Sequence, residues 1–242
     1  MLRTAPINPT KAALSLLPPF TTVTAHAFPS LQPAARFDLK TSFLQSPMRK
    51  DLLHRAIVFE RDAMRQGSAS TKSRSDMTYS TKKLRPQKGS GAARLGDRSS
   101  PMLRGGARAH GPKPRDFSTE LPRKVYNLAI RTALSHLYRE GKLTVVQGQM
   151  DLPTHKTQTA LAFLEGHGFA LPEEKKPLGG RTLFITNKQR PNLERATANV
   201  GYLCEVLRLD EMLLWELLKY NRILIERKAL TELEFMTRVN DQ

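Results

Sequence analysis

The chain has 242 residues, with 39 Lys and Arg against 22 Asp and Glu, for a formal charge of +17 at pH 7. Only 39% of it is hydrophobic and no run reaches the roughly 18–20 apolar residues of a membrane-crossing helix, which excludes membrane insertion by that route. A single cysteine, Cys204, excludes an intramolecular disulfide and any cysteine-clustered zinc site, so the expectation is a soluble basic protein with a polyanionic partner.

In chain order, residues 1–37 contain no Asp or Glu and carry Arg3, Lys11 and Arg36 among many Ser, Thr, Ala and Leu. That composition is expected of an organelle transit peptide, with a flexible or RNA-binding N-terminal arm as the alternative. Pro18 and Pro19 limit any amphipathic helix to the first turns. Ser46 and Pro47 then give a helix-start signal, and Leu52, Leu53, Ala56, Ile57, Phe59, Ala63 and Met64 follow at roughly helical spacing, predicting a helix over 47–65.

The charge excess lies next. Residues 65–131 hold 16 basic and 4 acidic residues (+12), whereas 151–242 hold 13 of each and are neutral. Over 66–116 no apolar run has helical or strand spacing, and Gly67, Gly89, Gly91, Gly96, Gly105, Gly106 and Gly111 punctuate it. Such a stretch cannot build an apolar core. It also far exceeds the about 12–15 residues of an ordinary loop, so it is either a disordered linker or an arm ordered by something outside the protein.

Composition favours the arm. Lys72, Arg74, Lys82, Lys83, Arg85, Lys88, Arg94, Arg98, Arg104, Arg108, Lys113 and Arg115 are opposed by Asp76 and Asp97. Nucleic-acid phosphates would screen that repulsion, and glycines such as Gly89 and Gly91 let the backbone approach them closely. If the arm runs out and back, half its length at about 3.3 Å per residue spans roughly 80 Å, a reach that a large folded RNA can accommodate. Tyr79, an aromatic in this basic setting, can stack on a base or stand exposed.

Beyond the arm, Pro122 opens a helix whose apolar face is Val125, Leu128, Ala129, Ala133, Leu134 and Leu137, ending near Gly141. A strand over 143–146 follows, then a helix near 157–167, a strand over 182–186 and a helical turn near 193–199. A strand over 202–207, a helix over 211–220, a strand over 222–226 and a helix over 230–239 complete the chain. Strands separated by helices predict an α/β fold: a parallel-sheet globular domain over 38–242, helices on both faces, interrupted by the long basic loop 66–116.

Enzyme motifs are weak. Gly89-Ser90-Gly91-Ala92-Ala93-Arg94 begins like a dinucleotide fingerprint but lacks its third glycine and follows no strand. His110 has Asp116 as its only nearby acid and no nucleophile beside it, so an RNA contact or a turn-stabilising bond is the better reading. Cys204 and Trp215 lie in apolar stretches and read as packing residues. No cofactor and no metal site are expected.

The arm carries Arg65-Gln66-Gly67, Lys72-Ser73-Arg74, Lys82-Lys83, Gln87-Lys88-Gly89-Ser90-Gly91, Ala93-Arg94, Ser100-Pro101, Gly105-Gly106 and His110-Gly111-Pro112-Lys113-Pro114-Arg115-Asp116, followed by Leu121-Pro122-Arg123-Lys124-Val125. In this order and spacing they resemble the universal large-subunit ribosomal protein four (L-four) family. The resemblance is close over 51–150, looser over 181–238 and absent from the N-terminal segment. Ala92, and Leu84-Arg85-Pro86, depart from residues common in that family.

The resemblance implies an α/β domain with a loop threading large-subunit rRNA toward the nascent-peptide exit tunnel, in a role of assembly and architecture. It places a turn around Tyr79, Ser80 and Thr81 nearest the tunnel wall, beside Lys72, Arg74, Lys82 and Lys83. The implied partners are large-subunit rRNA, neighbouring large-subunit proteins and the nascent polypeptide. With the acid-free N-terminus it points to the mitochondrial matrix, with a plastid as the alternative. The competing functional reading is an α/β enzyme with the basic arm as a lid over an anionic substrate.

Overall fold

The computed structural model describes residues 18–169 and 181–237. The chain forms two compact units, Met1–Glu60 with Glu120–Gln242, and Arg61–Thr119 between them in sequence.

The first unit is built on a six-stranded sheet in the order β2-β1-β3-β6-β4-β5. Its strands are β1 (Phe20–Ala27), β2 (Pro33–Lys40), β3 (Leu143–Gln147), β4 (Thr182–Thr186), β5 (Cys204–Arg208) and β6 (Arg222–Glu226). β2 runs antiparallel to β1, with Val23 opposite Phe37; every other neighbouring pair is parallel. The α-helices among the described residues are α1 (Thr41–Leu44), α2 (Lys50–Ala63), α3 (Arg123–Arg139), α4 (Thr157–Gly166), α5 (Pro191–Thr197), α6 (Leu214–Lys219) and α7 (Arg227–Met236).

The pleat divides the apolar residues between two cores. Leu143, Val145, Leu183, Ile185, Ile223 and Ile225 point to one face, where Leu53 of α2, Leu134 of α3, Leu217 of α6 and Leu230 of α7 cover them. Val146, Phe184, Leu224 and Cys204 point to the other, covered by Phe163 and Leu164 of α4 and Leu193 of α5. Helices therefore lie on both faces, as the alternating pattern predicts. Each fully buried aliphatic side chain contributes about 1.5–3 kcal/mol by leaving water.

Local chemistry sets the helix ends. α3 stops where the Lys142 N–H bonds the Leu137 carbonyl at 2.9 Å and the Gly141 N–H bonds that of Tyr138 at 3.1 Å, which turns the chain directly into β3. α6 starts against Glu60 of α2, whose carboxylate accepts the Leu214 and Trp215 N–H groups at 2.7 and 2.8 Å. This supplies from a distant element the cap that the adjoining sequence lacks. Tyr126 of α3 donates its hydroxyl to the same carboxylate at 2.5 Å. Burial, and then Glu60, push the Tyr126 phenol above its ordinary range.

The sheet begins at Phe20, and the stretch before the first helix supplies β1 and β2; residues 1–17 lie outside the described residues. The signal was present in Thr21, Val23 and Ala25, buried alternately with exposed neighbours, and in Phe37 and Leu39 opposite them. The helix expected over 47–65 starts at Lys50 instead. Ser46 is engaged elsewhere, its N–H meeting Ser135 Oγ of α3 at 3.0 Å and its hydroxyl donating to the Ser42 carbonyl at 2.9 Å, and so does not act as that helix's cap.

Candidate nucleic-acid interface

The second unit has almost no apolar interior. Its buried residues are Asp97, Ser99 and Ala107, so hydrogen bonds and ion pairs hold it together. The Arg115 N–H bonds the Gly67 carbonyl at 3.1 Å, Thr71 N–H bonds Pro112 at 2.9 Å, Arg108 N–H bonds Lys72 at 3.2 Å and Leu84 N–H bonds Gly96 at 2.9 Å. Early residues meet late ones in order, so the arm runs out and back as an irregular hairpin. Gly67 is required at its root, because its φ is +62° and a Cβ there would lie 2.1 Å from the Arg115 carbonyl oxygen. On the return limb Ala107 N–H closes onto the Ser99 carbonyl at 3.0 Å. Gly106 passes so close that a Cβ would lie 1.9 Å from the Ser100 oxygen.

Leu84–Gly96 is the outermost of these cross-limb bonds, so the reversal is made by residues 85–95, which carry Arg85, Lys88, Gly89, Gly91 and Arg94. Tyr79, Ser80 and Thr81 therefore lie on the outgoing limb, ahead of the reversal. Tyr79 stands beside the return limb, with the Arg98 guanidinium 5.8 Å from its ring centroid. Proline and glycine on both sides of Lys88 mark the reversal in the sequence, but only the cross-limb bonds locate it.

The arm's two flanked acids are consumed internally. Asp76 accepts Lys113 Nζ at 2.8 Å, Ser73 Oγ at 2.6 Å and the Ser73 N–H at 2.9 Å. The Lys113 bond, followed by those from Ser73, holds its carboxyl well below the usual range. Asp97 accepts Arg74 Nε at 3.0 Å and Ser99 Oγ at 3.0 Å, with Arg74 Nη2 2.7 Å from its other oxygen. The Arg74 bond lowers its pKa against the opposing effect of burial. Each pair ties the outgoing limb to the return limb. Asp116 is likewise spent, accepting the Ser118 N–H and hydroxyl, each at 2.8 Å, and among the described residues no acid is set up to orient His110.

The expected RNA-binding residues thus separate by role. Arg74 and Lys113 staple the limbs, Arg98 lies on Tyr79, Arg115 lies on Phe117, and Lys83 donates to Gln87. Lys72, Lys82, Arg85, Lys88, Arg94, Arg104 and Arg108 have no carboxylate partner among the described residues, and all but the half-buried Arg85 are exposed. His110 is exposed beside a groove that Lys113 and Arg115 also line. Sequence reasoning missed Arg65 and Phe117, which lie on the two limbs at the root.

An enzyme of this fold would place its site at the carboxyl ends of the parallel strands. There Glu226, fully buried at the end of β6, accepts Arg190 Nε and Nη2 at 2.8 and 3.0 Å, Met150 N–H at 2.8 Å and Asn187 N–H at 3.0 Å. This arrangement ties the loops after β3 and β4 to the end of β6 and satisfies its own charge. Cys204, on the face covered by α4 and α5, has its thiol pushed up to about 12 by burial. Among the described residues no cluster of His, Cys, Asp and Glu could hold a metal ion.

An α/β scaffold carrying a hairpin of unopposed cations defines a structural protein that anchors to a polyanion. The chain belongs to the ribosomal protein L4/L1 family, whose family model matches residues 37–236. It is 41% identical over 225 residues to the large ribosomal subunit protein uL4m of Neurospora crassa, covering 87% of this chain and 69% of that protein. It is 34% identical over 201 residues to the large ribosomal subunit protein uL4 of Desulfatibacillum aliphaticivorans, covering 83% of this chain and 91% of that one. The corresponding protein of Deinococcus radiodurans is 32% identical over 183 residues, covering 76% of this chain and 84% of its own length. This membership makes the chain a structural ribosomal protein and sets the enzyme reading aside.

Proposed function

We propose that the chain is a constituent of the mitochondrial large ribosomal subunit, where the 66–116 arm binds large-subunit rRNA, supports assembly and reaches the peptide exit tunnel. The observation that carries the reading is the hairpin itself: Asp76 and Asp97 are used to join its own limbs, leaving Lys72, Lys82, Arg85, Lys88, Arg94, Arg104 and Arg108 for an external anion. Phosphates are the matching ligand, because closely spaced anions release condensed counterions when such a surface neutralises them. The similarity to the uL4m protein of Neurospora crassa and the acid-free sequence ahead of β1 support the mitochondrial assignment.

The reversal at 85–95 is the part of the arm best suited to approach the tunnel and the nascent chain, with Tyr79, Ser80 and Thr81 further back along the limb. The neutral segment 151–242 is suited to neighbouring proteins, and no helix among the described residues is long and apolar enough to cross a membrane. Sedimentation of the tagged protein tests the proposal. Co-migration with large subunits in a mitochondrial lysate is expected, with deletion of 68–88 shifting the chain to the top of the gradient or stalling the subunit. A free pool of wild-type protein, or normal assembly and an unchanged tunnel wall after the deletion, would refute it.

A further inference from the structure

At the root of the hairpin the Phe117 ring carries two guanidiniums, Arg65 Cζ 3.6 Å and Arg115 Cζ 4.4 Å from its centroid. These distances put the two charges no more than about 8 Å apart. Two like charges that close repel each other. The ring's negative face offsets part of that cost and holds each guanidinium near it. Backbone register brings the three residues together, since the Arg115 N–H is bonded to Gly67 two residues beyond Arg65.

The only acid paired with either arginine among the described residues is Asp62, 3.5 Å from Arg65 Nη1. Arg65 remains 53% exposed at its side chain, and Arg115 is exposed with no acid partner. Held over the ring by its central carbon, each guanidinium still carries five N–H donors in a fixed fork. A groove beside Phe117, lined by Gly67, His110, Pro112, Lys113 and Arg115, continues the cationic surface along the limbs.

We propose that Arg65, Phe117 and Arg115 form a pre-oriented clamp in which both arginines share one backbone phosphate of the bound RNA, Phe117 being the positioning residue. The clamp rests on the rRNA-binding reading and adds to it a specific phosphate site. A phosphate's several acceptor oxygens let two forks bond it at once, at about 2.7–2.9 Å each. The ring reduces the side-chain freedom that would otherwise be lost on binding.

The full-length chain is titrated with a transcript of the mitochondrial large-subunit rRNA between about 50 and 200 mM salt. Phe117→Leu keeps both arginines and the net charge, yet is expected to weaken binding about three- to ten-fold, as does the charge-conserving Arg115→Lys, while Phe117→Tyr binds like wild type. The double variant Arg65→Gln/Arg115→Gln is expected to lower the log–log salt slope by about 0.7–0.9, the value for one phosphate. A fall of about twice that would mean two separate contacts and overturns the sharing. Wild-type affinity in Phe117→Leu also overturns the clamp. So does a loss accompanied by fast hydrogen exchange at the Arg115 amide, which would show that Phe117 merely holds the limbs together. If wild-type binding itself lacks a salt slope, the rRNA reading and the clamp fall together; a steep wild-type slope with an unaffected Phe117→Leu removes the clamp alone.

Discussion

Glu226 and Arg190 meet edge to edge at the carboxyl end of β6, two parallel hydrogen bonds joining a fully buried carboxylate to a guanidinium that is only 11% exposed. Removing the cation strands a charge that has no access to water. Arg190→Ala is therefore expected to destabilise the chain by about 3–5 kcal/mol, read as a lowered urea midpoint with Trp215, the sole tryptophan, as the fluorescence probe. Arg190→Ala combined with Glu226→Gln should recover part of the loss, since no bare charge is then buried.

The same pair sets an acid limit. Burial by itself would push the Glu226 carboxyl up, but Arg190 and the N–H groups of Met150 and Asn187 outweigh it and hold the carboxyl below its ordinary value. A depressed folded-state pKa adds stability that is fully present above the unfolded value, about 4.3, and is lost as pH falls through the lower folded value. The unfolding free energy should thus be level with respect to this group from about pH 7 to 5 and fall below about pH 4. Urea midpoints at these pH values check it, and the drop should be shallower in Glu226→Gln.

Glu60 serves two elements, the N-terminus of α6 and the Tyr126 hydroxyl. Glu60→Ala leaves two N–H groups and the phenol without an acceptor and should cost about 2–3 kcal/mol. Tyr126→Phe removes one donor and leaves the cap intact, so a smaller loss of about 1–1.5 kcal/mol is expected. Equal losses in thermal unfolding would show that the cap contributes nothing beyond the tyrosine contact.

Asp76→Asn and Asp97→Asn each remove a negative charge from the arm, and on charge alone both should tighten RNA binding. If the acids act as staples, the limbs instead loosen: protease cleavage between residues 72 and 113 of the free protein should accelerate in both variants. The gain in RNA affinity at low salt should also be smaller than for Glu120→Gln, where an acid with no limb-joining ion pair is neutralised.

Cys204 should resist iodoacetamide in the native chain at pH 8, because burial pushes its thiol up to about 12 and only the thiolate reacts. In urea it should label at the rate of an ordinary thiol. Fast native labelling, followed by mass spectrometry, would show that the face covered by α4 and α5 opens readily.

Much of this molecule could be read from residue order. β3, β4 and β6 are near-continuous apolar runs between helical patterns, and a strand buried on both faces has no other way to appear. The basic arm was equally plain, since charge and glycine content are properties of composition. β1 and β2 were hidden by that same composition: an acid-free, Thr-rich stretch suits both a presequence and a strand, and the strands show only in their pairing with each other and with β3. The cross-limb partners of Asp76 and Asp97, and the partners of Glu60 and Glu226, were out of reach because each lies 20 or more residues away and carries no local signature. The hairpin register is of the same kind. Periodicity reports what one segment does with its own neighbours, whereas the meeting of Arg65 with Phe117 depends on how two limbs are closed, which is a property of the folded chain.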